Sequence, residues 1–175
     1  MMKKFLLALS LLSFSYAANA QKVIYDKMNA LNKRIMYTDW VTVNWSSNSH
    51  QLEASMLLEG KDTSLMLNWQ CKEMLGVERD AEVVLTFTDQ TEVVLLSKAF
   101  AVSGAGKVQT EHVSSSMMGI QIDAKGDLTP FADKTLKNIK LNTTSGIIDF
   151  PVSEQEAAKL NLQYMAFETA LISKK

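Results

Sequence analysis

The chain has 175 residues, 47% of them apolar and 21% charged, with two Pro, seven Gly and one Cys. That composition excludes a disordered chain, a collagen-like repeat and a disulfide scaffold, and the length suits one domain with or without a removable segment. The net charge of −1 gives no electrostatic footprint for DNA or RNA.

The first twenty residues read as an export signal. Lys3-Lys4 makes a positive start, Phe5 to Phe14 is almost entirely apolar, and Ala18-Asn19-Ala20 has the small-x-small pattern that signal peptidase accepts. The apolar run is about ten residues, half of the ~20 that a membrane-spanning helix requires. Gln21 stands where a lipoprotein would need Cys. The expectation is cleavage after Ala20, one domain over residues 21–175, and a periplasmic, extracellular or cell-surface location. No later stretch is apolar for long enough to span a bilayer, and losing two lysines leaves the mature chain at −3.

Residues 22–36 are mixed, with Ile24, Met28, Leu31 and Ile35 spaced as on one face of a short amphipathic helix. From there the period changes to two. Val41, Val43 and Trp45 share one face of a strand, and Trp40, Thr42 and Asn44 share the other. Ser46 to His50 breaks the run. Leu52, Ala54, Met56 and Leu58 then alternate with Gln51, Glu53 and Ser55, and Gly60-Lys61-Asp62 turns the chain into a strand with Leu65, Leu67, Trp69 and Cys71 on one side. Three strands with short connections predict an antiparallel meander. Cys71 has no partner within the chain and reads as a small core hydrophobe, the alternatives being an intermolecular disulfide or a reactive thiol.

After a connection from Glu73 to Asp80, Val83, Leu85 and Phe87 alternate with Val84, Thr86 and Thr88. Asp89-Gln90 forms a tight link into Thr91 to Val102, where Val93 to Leu96 is apolar on both parities and predicts a strand covered on both faces. Ser103 to Gly106 breaks it, and Gln109 to Ser116 reads as a polar loop. Ile120 and Ile122 mark a strand, and Asp127 to Asp133 a brief helix with Pro130 in its first turn. Ile139 and Leu141 lead through Thr144-Ser145-Gly146 into Ile147 to Phe150, a hairpin that Pro151 ends. Ser153 with Glu156 is a capping box, and Ala157, Leu160, Tyr164, Phe167 and Leu171 form one helical stripe. The fold class expected is α+β: an antiparallel, meander or sandwich-like sheet of seven to nine strands with a C-terminal helix packed on it.

Catalytic patterns are weak. Gly104-Ala105-Gly106-Lys107 lacks the upstream Gly and the following Ser or Thr of a phosphate-binding loop, and reads as a glycine turn. His50 and His112 do not assemble three or four metal ligands with their neighbours, so no metal and no cofactor is expected. Asp123-Ala124-Lys125-Gly126-Asp127 carries a Lys where a calcium loop wants oxygen, which favours a β-turn. A small hydrolase built on His112, one of Ser114 to Ser116, and Asp123, Asp127 or Asp133 is one alternative; no Gly-x-Ser-x-Gly elbow accompanies it. A second alternative is a carrier with an apolar cavity lined by the Leu and Met residues of the first meander. Trp40 carries the leading reading. An aromatic side chain on a sheet face, beside Thr42 and Asn44, is a contact surface for a partner or sugar, unless the N-terminal segment or the C-terminal helix covers it.

The order of features in the second half is itself a pattern. A hairpin at Thr88-Asp89-Gln90-Thr91 is followed by the Gly-Ala-Gly break, Gly119-Ile120-Gln121-Ile122, a short helix, Ile139-Lys140-Leu141-Asn142-Thr143, the turn at Gly146, Ile147-Ile148-Asp149 and a terminal helix. Over residues 82–165 this resembles small exported Bacteroidetes-type proteins of unknown function. The resemblance implies a periplasmic or surface location and an α+β fold, and it assigns no functional residue. The expectation drawn is a non-enzymatic binding module for an envelope protein or a glycan, using Trp40, Thr42 and Asn44.

Overall fold

The computed structural model describes residues 23–45, 51–71, 74–104 and 118–173. The leader, His50, Lys107, His112 and Ser114 to Ser116 lie outside these residues, as does the side chain of Trp45. The strands are β1 (Val23–Met28), β2 (Arg34–Thr38), β3 (Val41–Trp45), β4 (Gln51–Glu59), β5 (Asp62–Cys71), β6 (Gly76–Val77), β7 (Glu82–Phe87), β8 (Glu92–Ser97), β9 (Ala101–Val102), β10 (Met118–Lys125), β11 (Leu136–Thr143) and β12 (Gly146–Pro151). A 3-10 helix (Thr129–Ala132) precedes β11, and one α-helix, α1 (Glu154–Ile172), closes the chain. The fold is α+β with antiparallel strands throughout.

Ten strands make one sheet in the order β1-β2-β4-β5-β10-β8-β7-β11-β12, with β3 also on β4; β6 and β9 pair separately. The meander β3–β4–β5 is present as expected, and Gly60 turns β4 into β5 at φ 68°. The main correction lies before it. Residues 23–38 form a hairpin rather than a helix, because Asn29 and Asn32 make a turn: Asn29 Oδ1 accepts from Leu31 N and Lys33 N, and Asn32 adopts φ 55°. Tyr25 and Tyr37, directly paired across it, stack with ring centroids 5.0 Å apart, while Ile24, Met28 and Leu31 are exposed. This hairpin and the two-residue strands raise the count to twelve among the described residues.

A second correction concerns β8. It pairs with β7 along its length but meets β10 only through Leu96 and Ser97. Its outward side chain Val94 is therefore 49% exposed, while Leu95 is fully buried.

The sheet curls around its apolar face. Trp69 on β5 meets Phe150 on β12 edge to face at 5.5 Å, although four strands separate them in the sheet order. Asn44 on β3 donates to the Pro151 carbonyl at 2.6 Å, so the far margins of the sheet approach without closing a barrel. Helix α1 packs on the inner face through Ala157, Leu160, Gln163, Tyr164 and Phe167. Ser153 caps it, its hydroxyl accepting from Glu156 N at 3.3 Å, with Glu154 and Glu156 at the positive end. Burying Leu160 and Phe167 contributes roughly 1.5–3 kcal/mol each, so the helix is integral to the core. Cys71 is fully buried with Leu65, Leu67 and Trp69, on the face that alternation assigned to it. No helix among the described residues is long and apolar enough to cross a membrane.

Candidate functional site

Strands β2 and β3 are two halves of one interrupted strand, since both pair with β4. Tyr37 pairs with Leu57 and Val41 with Ala54, so three residues (38–40) span two (55–56). This extra residue is a bulge, and bulges bend a strand and re-aim its side chains. Three polar ties hold it. Thr38 Oγ1 accepts from Met56 N at 2.9 Å, Ser55 Oγ donates to the Thr38 carbonyl at 2.8 Å, and the buried Gln163 amide of α1 donates to the Asp39 carbonyl. Trp40 is the last residue of the bulge. It lies just before β3 rather than within it, half-buried, with its N–H on Asp39 Oδ1 at 2.9 Å.

Thr42 opens a polar row. It pairs with Glu53, Glu53 with Asn68, and Asn68 with Gln121, in register across β3, β4, β5 and β10. Their sequence neighbours Val41, Leu52, Ala54, Leu67, Trp69, Ile120 and Ile122 fill the core, so the alternation of strands sends this row to the opposite face. Glu53 bridges its neighbours: Oε1 accepts from Gln51 Nε2 at 2.9 Å and Oε2 from Asn68 Nδ2 at 3.0 Å. Glu53, Ser55 and Asn68 are buried although they sit on the polar parity, whereas Gln121 is exposed. Asn44, the third residue singled out by alternation, is half-buried and engaged with Pro151 rather than continuing the row. The bulge thus sets Trp40 two residues before Thr42, the first member of an amide- and carboxylate-bearing strip. Glu53, Asn68 and Gln121 were missed in the sequence, where only their alternation with Leu52, Ala54, Leu67 and Ile122 marked them.

Lysines end the same face. Lys98 Nζ lies 3.0 Å from Asp123 Oδ2 and 3.1 Å from Ser64 Oγ, and an open cleft of about 640 Å³ runs between Lys61, Lys98 and Lys125 with Glu59, Asp62 and Thr63. Asp123 is therefore held in an ion pair. Asp127 accepts from Thr129 N at 2.9 Å and Thr129 Oγ1 at 2.7 Å, bonds that hold its carboxyl below the usual range, and Asp133 ends the 3-10 helix. Among the described residues no group of three or more His, Cys, Asp or Glu is placed to hold a metal ion.

A second cleft lies on the helix side. Thr88 and Thr135 form one wall, Glu154, Ala158, Asn161 and Leu162 the other, and the volume is about 690 Å³. Asn161 Nδ2 donates to the Lys134 carbonyl at 3.0 Å; its buried Oδ1 has no hydrogen-bond partner among the described residues.

No protein-family model, curated protein or solved structure matches this chain.

Proposed function

We propose that the protein is an exported, non-enzymatic binding module of the periplasm or cell surface whose partner is an envelope glycan. The observation that carries the reading is the in-register row Thr42–Glu53–Asn68–Gln121, which the chain enters two residues after the half-buried Trp40. Gln121, the exposed end of the row, offers an amide to sugar hydroxyls while the buried Glu53 and Asn68 brace the strands beneath it, and an indole supplies the apolar face on which a sugar ring rests. The leader-like first twenty residues support export. Leu52, Met56, Leu65 and Leu67 pack into one continuous core with Trp69, Phe150 and Phe167, which favours a surface site over a carrier's internal cavity.

The test is capture from envelope extract by the full-length gene product, beside Trp40→Ala and Gln121→Ala variants. A glycan retained by the parent and lost from both variants supports the reading. Capture of a defined protein instead, or glycan capture that neither substitution weakens, overturns it.

A further inference from the structure

Helix α1 is apolar on two opposite sides. One stripe faces the core; the other, Ala158, Leu162, Met165, Thr169 and Ile172, follows the same 4-3-4-3 spacing and is exposed along its whole length. At 100° per residue these five positions fall within about 40° of a single line, on the side away from Leu160 and Phe167. Leu162, Met165 and Ile172 are 38%, 53% and 65% exposed. A helix covered on one side only is expected to be polar on the other, so this second stripe calls for an occupant.

We infer that the occupant is a second copy of the chain, with the two α1 helices antiparallel about a twofold axis at Met165. That register is self-complementary in size. It sets Ala158 against the second copy's Ile172 and Leu162 against its Thr169, small opposite large on both sides, while Met165 meets itself. Interfaces between helices pack by such alternation, and Met adapts to its own copy. The cleft of about 690 Å³ beside Ala158 and Leu162 lies where the second copy's Ile172 arrives, with the unused Asn161 acceptor on its wall.

Charge selects the direction. Glu154 begins the exposed stripe, and the last turn of the helix carries no basic residue. Antiparallel helices oppose their dipoles and hold the two Glu154 carboxylates at opposite ends of the interface; parallel helices would bring Glu154 against Glu154. The surface lies on a different element from Trp40 and does not depend on the glycan reading.

The test is molar mass by light scattering across the micromolar range on the full-length gene product. The expected mass is that of two chains. Met165→Glu places like charges face to face on the axis and is expected to weaken association by about 100-fold or more, with an unchanged circular dichroism spectrum because the side chain is exposed. Met165→Cys should form a disulfide-linked dimer on mild oxidation, and Asp133→Cys, an exposed position off the stripe, should not. A one-chain mass throughout the range, or a two-chain mass that survives Met165→Glu, overturns the proposal. Equal cross-linking at residues 133 and 165 overturns the register.

Discussion

Gln163 and Asp39 lie 124 positions apart in the chain, yet the helix amide of one closes onto the backbone carbonyl of the other. The same Nε2 lies 3.5 Å from the Ala54 carbonyl, so one side chain serves both strands at the bulge. Gln163 is fully buried, and its position on the inner stripe would otherwise suit Leu. Gln163→Leu fills the volume but leaves the Asp39 carbonyl without its donor. Asp39 is exposed and the bond part-buried, so its net worth is about 1 kcal/mol, and urea unfolding should show a loss of that size. A loss well under 1 kcal/mol would mean that water replaces the amide. If the bulge positions Trp40, the same variant also weakens glycan capture.

Gly126 makes a different kind of constraint. A Cβ built there would lie 2.5 Å from Leu95 Cδ2 and 3.3 Å from both Leu95 Cα and the Val94 carbonyl oxygen. Leu95 is fully buried and cannot swing clear, and the backbone of β8 offers no slack. Gly126→Ala is therefore expected to destabilise by about 1–3 kcal/mol, the usual cost of overpacking. Gly104→Ala is the control: among the described residues no atom lies within 4 Å, and its φ of 89° makes any loss there a backbone effect. A neutral Gly126→Ala would show that the 3-10 segment shifts away from β8 freely.

The β7–β8 hairpin carries an acid-sensitive tie. Asp89 Oδ2 sits 2.9 Å from Lys134 Nζ, and the hydrogen bonds from Lys134 and then Thr91 lower its carboxyl to about 2 from the ordinary 3.8. The folded state favours the carboxylate, so the stabilisation is complete above the unfolded value and drains as pH falls from about 4 towards 2. Asp89→Asn should flatten that part of the stability–pH curve and leave its shape above about pH 5 unchanged. The pair is exposed, so the change is small and is best read from urea midpoints at closely spaced pH. Parallel curves for the two proteins would place the acid sensitivity elsewhere.

Alternation made β4, β5 and β7 legible because each buries one face against the curled core, and a Ser followed three residues later by Glu marked the start of α1. It failed where two periods coincide. Ile24, Met28, Leu31 and Ile35 fit a helix by spacing alone, but Asn29 and Asn32 between them are turn formers, and the pairing of Tyr25 with Tyr37 decides the hairpin. The candidate site was half visible. Trp40 stood out as an aromatic off the apolar parity, yet the bulge beneath it depends on Thr38, Ser55 and Gln163, which come together only in the folded chain. Gln163 escaped notice because a polar residue on an apolar stripe has no signature until its carbonyl partner is known. Glu53 and Asn68 escaped for the converse reason: polar parity usually means solvent, and here it does not.

The position of β10 sets the timetable of folding. It lies between β5 and β8, which both precede it in the chain, and pairs with β5 over eight residues. Until Met118–Lys125 arrives, the earlier strands are two separate blocks with raw facing edges and no seam. Closure over such sequence distances is entropically costly and slow. A chain built this way stays open until most of it has been delivered, and a factor that shields strand edges would act on it at that stage.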